Sequence, residues 1–175
     1  VGESVPQWIL DPIFEPVHVL DRTRQFMNDA HSVYFNNVLP AGNISRPSIV
    51  SLITGLYDAQ FELNEQEQFW SRVFTTSIAK QLKSLGYRSL YWYGGNASYG
   101  NFNKFGKAQG FDEVRSATNF CGDNPPMTWV GVYDHVFLER VTELLDDVEE
   151  PTFHFIYTTS NHGPYKIPDD ILKFN

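Results

Sequence analysis

Leu82-Lys83-Ser84-Leu85-Gly86-Tyr87-Arg88-Ser89-Leu90-Tyr91-Trp92-Tyr93-Gly94-Gly95-Asn96 is the stretch that decides the fold class. Upstream of it, Phe69, Trp70, Val73, Phe74, Ile78, Leu82 and Leu85 recur at three- and four-residue steps. That spacing gives one apolar face and predicts a helix from about Glu65 to Leu85. Asn64 stands where a cap belongs, with Glu67 three residues on, and Gly86 closes the helix. Arg88 to Tyr93 then reads as a strand, stopped by Gly94-Gly95-Asn96. A helix feeding a short apolar strand that ends in a polar loop is a unit of an α/β sheet.

The same alternation continues outward. Toward the C-terminus, Trp129 to Val132 reads as a short strand and Asp134 to Leu145 as a helix. Thr152 to Thr158 reads as a buried strand running into Ser160-Asn161-His162-Gly163-Pro164. Toward the N-terminus, Ser45 to Thr54 reads as a helix with Pro47 in its first turn and Gly55 at its end. Leu20 to His31 reads as another, after Pro16, and Val1-Gly2-Glu3-Ser4 as the tail of a strand. No internal repeat or low-complexity segment interrupts the pattern. The expectation is α/β: a mostly parallel central sheet with helices on both faces. In such sheets ligands bind beyond the carboxyl ends of the strands. Glu3, Gly94-Gly95-Asn96 and Ser160-Asn161-His162 all stand at such ends.

Composition narrows the function classes. With 175 residues the chain can bury a core, and 42% hydrophobic against 19% charged residues is a globular balance. A net charge of −8 argues against nucleic acid or an anionic membrane as a general partner. An aromatic content of 15% suits a thick core or a sugar- or lipid-facing cleft. The single cysteine, Cys121, rules out an intrachain disulfide. No apolar stretch reaches the roughly 18–20 residues that span a bilayer, and no signal segment opens the chain. Any membrane anchor is expected outside it.

Three residues are candidates for chemistry. Ser45, within Gly42-Asn43-Ile44-Ser45-Arg46-Pro47-Ser48, opens a helix, where unpaired N–H groups and the positive dipole end favour an alkoxide and an anionic ester. The competing reading, commoner for serine, is a plain N-cap. Glu3 follows a strand end, a position that holds a metal or simply terminates the strand. His162 is a metal ligand, acid/base group or phosphate donor, or a solvated loop histidine. His18, His31, His135 and His154 show no metal-ligand spacing. Asp134 reads as the cap of its own helix rather than as a ligand beside His135.

Taken in order, the motifs resemble the alkaline phosphatase superfamily, in its sulfatase-like, lipoteichoic acid synthase and phosphoglycerol transferase branch. Ser45-Arg46-Pro47-Ser48 followed by Leu52-Ile53-Thr54-Gly55 is similar to the sulfatase pattern C/S-x-P-S-R-x-x-L-x-T-G, whose first residue is the nucleophile. Val1-Gly2-Glu3-Ser4 resembles the strand end that supplies a metal-binding Glu, and Pro16 to Arg22 the T-P-N-L-D-R segment. Leu85-Gly86-Tyr87 through Tyr93-Gly94-Gly95-Asn96, then Gly110-Phe111-Asp112, is similar to G-Y-x-T-x-F-x-Y-G-G … G-F-D. Trp129 to Asp134 looks like W-G-V-x-D, and Phe155 to Tyr165 like the strand before S-N-H-x-P-F/Y.

The resemblance implies one divalent metal ion (manganese, magnesium or zinc) held by Glu3 and Ser45, with Ser45 as nucleophile. His162 and Asn101 would bind the substrate. The implied reaction moves a phosphoglycerol- or phosphoethanolamine-like group from a lipid-linked donor to a glycan or lipid acceptor. It would take place at a bacterial cell membrane, in a domain facing the periplasm or cell exterior. A sulfate or phosphate ester hydrolase and a non-catalytic ligand-binding relative are the alternatives. Three positions depart from the pattern. Ser45 stands where the synthase branch has Thr, and Ile49 where the sulfatase maturation signal has Arg, so formylglycine is not expected. Gly100 and Phe102 fall near the Trp and Arg that read a phosphoglycerol head. The family completes its metal site with an Asp-His pair beyond the S-N-H loop. Residues 1–175 are therefore expected to be the N-terminal portion of one catalytic domain, with part of a metal site and no activity alone.

Overall fold

Arg88–Tyr93 forms the central strand, β1, of a three-stranded parallel sheet. Glu113–Ser116, β2, lies on one side and Thr152–Tyr157, β3, on the other. The computed structural model describes residues 1–145 and 150–168. The chain divides into two compact units, Val1–Glu3 with Ala41–Asn175, and Ser4–Pro40. Every residue of β1 from Ser89 to Tyr93 is buried, as a parallel strand covered on both faces requires.

Its period of two divides the core. Tyr91 and Tyr93 pack with Ile49, Val50 and Ile53 of α2 (Ser45–Thr54), Ala79 of α3 (Ile78–Ser84) and Phe102 and Phe105 of α4 (Phe102–Ala108). Leu90 and Trp92 pack with Ala117 of α5 (Ala117–Phe120) and with Phe137 and Val141 of α6 (Asp134–Leu145). Phe105 and Phe137 are wholly buried. Each contributes about 1.5–3 kcal/mol, enough to hold its helix on its face. The expected architecture, a parallel sheet with helices on both faces, is what the chain adopts.

Local signals placed α2 and α6 at their observed bounds. Pro47 sits in the first turn of α2, and Gly55 closes it at φ 71°, a conformation that favours glycine. The N-terminal tail lies beside β3: the Val1 nitrogen donates to the Ile156 carbonyl (2.5 Å), and Thr158 N–H donates to the Val1 carbonyl (3.1 Å). That is the alternation of a parallel ladder. In the Ser4–Pro40 unit the helix expected over Leu20 to His31 is confined to α1, Asp21–Met27. Within the same unit Arg24 donates to the carbonyls of Leu10 and Ile9.

The helix expected from Glu65 to Leu85 does not form as such. Short 3-10 turns occupy Leu63–Glu65 and Glu67–Phe69, irregular chain follows, and only Ile78–Ser84 is α-helical. Gln109, buried on α4's C-terminal side, supplies the reason. Its Oε1 accepts from Phe74 N–H (3.0 Å) and its Nε2 donates to the Arg72 carbonyl (2.9 Å). These bonds satisfy backbone groups that a helix would otherwise have paired. Asn64 does not cap; its amide donates to the Gly100 carbonyl (2.6 Å). Trp129 to Val132 is likewise no strand. Two isolated antiparallel bridges, Gly95 with Gly131 and Met127 with Val132, tie that loop down. A Cβ on Gly131 would lie 2.4 Å from the Gly94 carbonyl oxygen, so only glycine permits the approach.

Candidate active site

β1 and β3 end side by side at Tyr93 and Tyr157, which are register partners. Their rings stack at 5.1 Å and 12°. Alongside that end, the Val1 pairing carries the chain to Glu3, which is 9% exposed. Tyr157 Oη donates to Glu3 Oε2 at 2.5 Å. Burial first, then the bond to Glu3, pushes the Tyr157 phenol well above its ordinary value, with Ser45 acting in the opposite direction. Tyr93 is pushed up to about 12, by burial and then by Tyr99 and Glu3. Both phenols therefore stay protonated at neutral pH, and that of Tyr157 donates to Glu3.

Ser45 is the first residue of α2, and Ile44, at φ −133° and ψ 164°, is the N-cap. No side chain caps this helix. The Ser45 hydroxyl donates instead to Glu3 Oε2, at 2.8 Å. The N-cap reading of Ser45 is thus replaced by a hydroxyl directed at a buried carboxylate, at the positive end of a ten-residue helix. Glu3 lies 42 positions from Ser45 and 154 from Tyr157 in sequence. Parallel pairing is what joins them.

His162 is placed by the loop after β3. Asp134 Oδ1 accepts from Thr159 N–H (2.9 Å) and Ser160 N–H (3.0 Å), while Ser160 Oγ accepts from Asp134 N–H (2.6 Å). Asp134 thus locks this loop rather than capping its own helix, and the serine takes the capping role. His162 Nδ1 lies 2.8 Å from the Gly163 carbonyl, which can only accept, so the hydrogen is assigned to Nδ1. Its ring meets Trp129 edge-on, at 5.0 Å and 88°.

Ser45, Arg46, Tyr93, Tyr157 and His162 line one cavity of about 590 Å³, with Trp129 and Tyr99 among its other walls. Asn101 is not among the lining residues. Its amide donates to Glu65 Oε2 (2.6 Å), and Glu65 with Glu62 holds the Arg46 guanidinium, at 2.8 and 3.1 Å. Asn101 therefore reaches the cavity through Glu65 and Arg46. Sequence reasoning passed over Arg46, Tyr93 and Tyr157. The last two are the final residues of two strands, the one signal that would have marked them. A second cavity, of about 600 Å³, lies in the Ser4–Pro40 unit. Its one carboxylate, Asp11, accepts from Ile13 N–H, and it holds no comparable cluster.

Glu3 and Ser45 offer hard oxygen donors 2.8 Å apart, a spacing that two ligands of one small divalent cation adopt. Their chemistry fits such an ion. Among the described residues no three His, Cys, Asp or Glu gather into a metal-binding group.

The family model for sulfatases matches residues 15–174. The chain belongs to the sulfatase family. Among curated relatives of this sulfatase-family chain, lipoteichoic acid synthase 2 of Bacillus subtilis (strain 168) is 22% identical over 174 residues. That match covers 98% of the chain and 26% of the relative, so the chain spans about a quarter of that relative's length. Two solved structures share the fold. One is a protein in the alkaline phosphatase superfamily from Vibrio parahaemolyticus, with a TM-score of 0.53 and 29% identity, covering 65% of this chain and 28% of that one. The other is the lipoteichoic acid synthase LtaP from Listeria monocytogenes, with a TM-score of 0.67 and 19% identity, covering 78% and 33%. The resemblance read from the motifs, to the lipoteichoic acid synthase branch of the alkaline phosphatase superfamily, stands.

Proposed function

We propose that the domain to which this chain contributes transfers a phospho-alcohol group through Ser45, from a lipid-linked donor to a glycan or lipid acceptor of the bacterial cell envelope. The observation that carries the reading is the Ser45 hydroxyl, bonded to buried Glu3 and opening onto a cavity at the head of α2. Ser45 Oγ would form the new bond to phosphorus as the bond to the donor alcohol breaks, and that alcohol would leave with a proton. The phosphoserine then passes its group to the acceptor hydroxyl. Glu3 Oε2 holds the serine proton before attack. His162 faces the anionic ester, and Asn101 supports substrate binding through Glu65 and Arg46. A divalent ion held by Glu3 and Ser45 would supply charge neutralisation at the transferring group and a lower pKa for the hydroxyl.

The envelope location rests on likeness to the lipoteichoic acid synthases. Among the described residues no helix is long and apolar enough to cross a membrane, and tethering is assigned to a segment outside this chain. Full-length protein, incubated with manganese and vesicles of a labelled anionic phospholipid, provides the test. Mass spectrometry of a quenched reaction should find the phospho-alcohol adduct on Ser45, and Ser45→Ala should abolish both adduct and turnover. Release of the group to water at the same rate without acceptor would favour the hydrolase. A folded Ser45→Ala enzyme with near-normal turnover would remove the nucleophile assignment.

A further inference from the structure

Glu3 Oε2 accepts two hydrogen bonds at once, from Ser45 Oγ at 2.8 Å and from Tyr157 Oη at 2.5 Å. Glu3 sits on a short N-terminal tail, and Tyr157 supplies one of the two hydrogen bonds to its Oε2 from a strand of the sheet. Its ring is 4% exposed and belongs to β3, one strand from the centre of the sheet. It stacks on Tyr93 at 5.1 Å, the two rings nearly parallel. The phenol is therefore a buried donor on a strand of the sheet, aimed at the carboxylate oxygen that also receives the Ser45 hydroxyl.

We propose that Tyr157 is the positioning residue of the site: its hydroxyl locks the Glu3 carboxylate in the orientation that sets both the metal-facing donors and the Ser45 hydroxyl. The proposal rests on the reading of Ser45 as nucleophile and Glu3 as metal ligand. Hydrogen bonds from surrounding residues to a ligating carboxylate fix its orientation, and their loss typically costs 10–100-fold in metal affinity. Tyr157→Phe keeps the ring, the stack and the burial, and deletes only the hydroxyl. A suitable control is Tyr91→Phe, on the same side of the core. The Tyr91 hydroxyl is buried and has no hydrogen-bond partner among the described residues.

The experiment uses full-length protein and three measurements. Calorimetric titration with manganese is carried out at a temperature where every variant is fully folded by circular dichroism. Single-turnover capture of the Ser45 adduct and thermal melting complete the set. For Tyr157→Phe, manganese Kd should weaken at least tenfold and adduct formation should slow at least tenfold, with KM for the donor little changed. Tyr91→Phe should leave Kd and adduct rate at wild-type values. A wild-type Kd in Tyr157→Phe, whatever its Tm, would overturn the positioning role, and so would equal losses in Tyr91→Phe. Ser45→Ala is run in parallel. If it still turns over, the nucleophile reading fails. If it does not, while Tyr157→Phe behaves as wild type, only the role of Tyr157 fails.

Discussion

Ser45 stands one residue inside α2, and that single step decides what its hydroxyl does. A serine at the cap position would bond to the N–H groups of its own helix, and its loss would cost about 0.5–2 kcal/mol with activity intact. Because Ile44 holds the cap, the Ser45 hydroxyl donates to Glu3 instead. Glu3 keeps its bond from Tyr157 when Ser45 becomes alanine. Ser45→Ala should therefore lower stability by only about 1 kcal/mol, while turnover of the full-length enzyme falls to background. Ser45→Thr retains the hydroxyl and should keep measurable turnover. Thermal melts and initial rates on both variants separate this from a capping role, which would show the reverse ratio of effects. Glu3, Ser45 and His162 were legible as candidates because each follows a strand end or opens a helix. Tyr157 was not, because an aromatic residue ending a buried strand reads as core until its hydroxyl partner is known.

Between elements, two contacts carry consequences that no periodicity shows. Gln109 holds the irregular chain between the 3-10 turn Glu67–Phe69 and α3 through Phe74 N–H and the Arg72 carbonyl. Gln109→Ala would leave both groups without that partner and should cost about 2–4 kcal/mol in denaturant unfolding. It should also open the segment around Arg72 and Phe74 to limited proteolysis; unchanged cleavage and stability would contradict the account. The second contact joins β1 to β3, where the Trp92 indole N–H donates to His154 Nδ1 at 3.0 Å. An indole only donates, so Nδ1 must carry the lone pair. Burial first, then the positive charges of Arg115 and Arg88, holds the His154 pKa below its ordinary value of 6.5. The neutral ring's contribution to stability is complete above that value and is lost as pH falls through it toward the folded-state pKa. His154 should titrate below 6.5 by NMR. Thermal stability should decline more steeply on acidification for the wild type than for His154→Gln. A midpoint at or above 6.5 would leave the Trp92 bond unsupported.

Over the whole molecule, the parallel sheet gathers chemistry at one edge but supplies few donors for a cation. On the proposed reading Glu3 and Ser45 would be two oxygen ligands, and a hard divalent ion takes six or more. The 175-residue chain, titrated alone with manganese, magnesium and zinc, should show no stoichiometric submicromolar site, since most of the coordination sphere would remain water. A tight site that disappears in Glu3→Gln would mean that the ligand set has been misjudged. The net charge of −8 does not oppose a local anion site. Ser45 opens α2 at the cavity, where the positive end of the helix favours an anion, while the Arg46 guanidinium that also lines it is paired with Glu62 and Glu65.

By itself the sequence determined the features set by neighbouring residues. Pro47 and Gly55 bound α2, the glycines after Tyr93 end β1, and the amphipathic run after Asp134 makes α6, because caps, breakers and short periods act within a few residues. The ordered motifs carried the resemblance to the family, and the sulfatase family model matching residues 15–174 shows it. Tertiary structure alone decided what Phe69, Trp70 and Phe74 do. Their spacing suits one helical face, yet each packs against the core from turns and irregular chain, since Gln109 satisfies backbone groups there from 35 or more positions away. It also decided the partners of side chains with more than one use: Asp134 on the loop after β3, Asn64 on Gly100, Asn101 on Glu65. Hydrophobic period records that a residue is buried, not which neighbour buries it. A polar side chain takes whichever partner the packed fold brings within 3 Å, a typical hydrogen-bond length, and for Glu3 those partners were Ser45 and Tyr157.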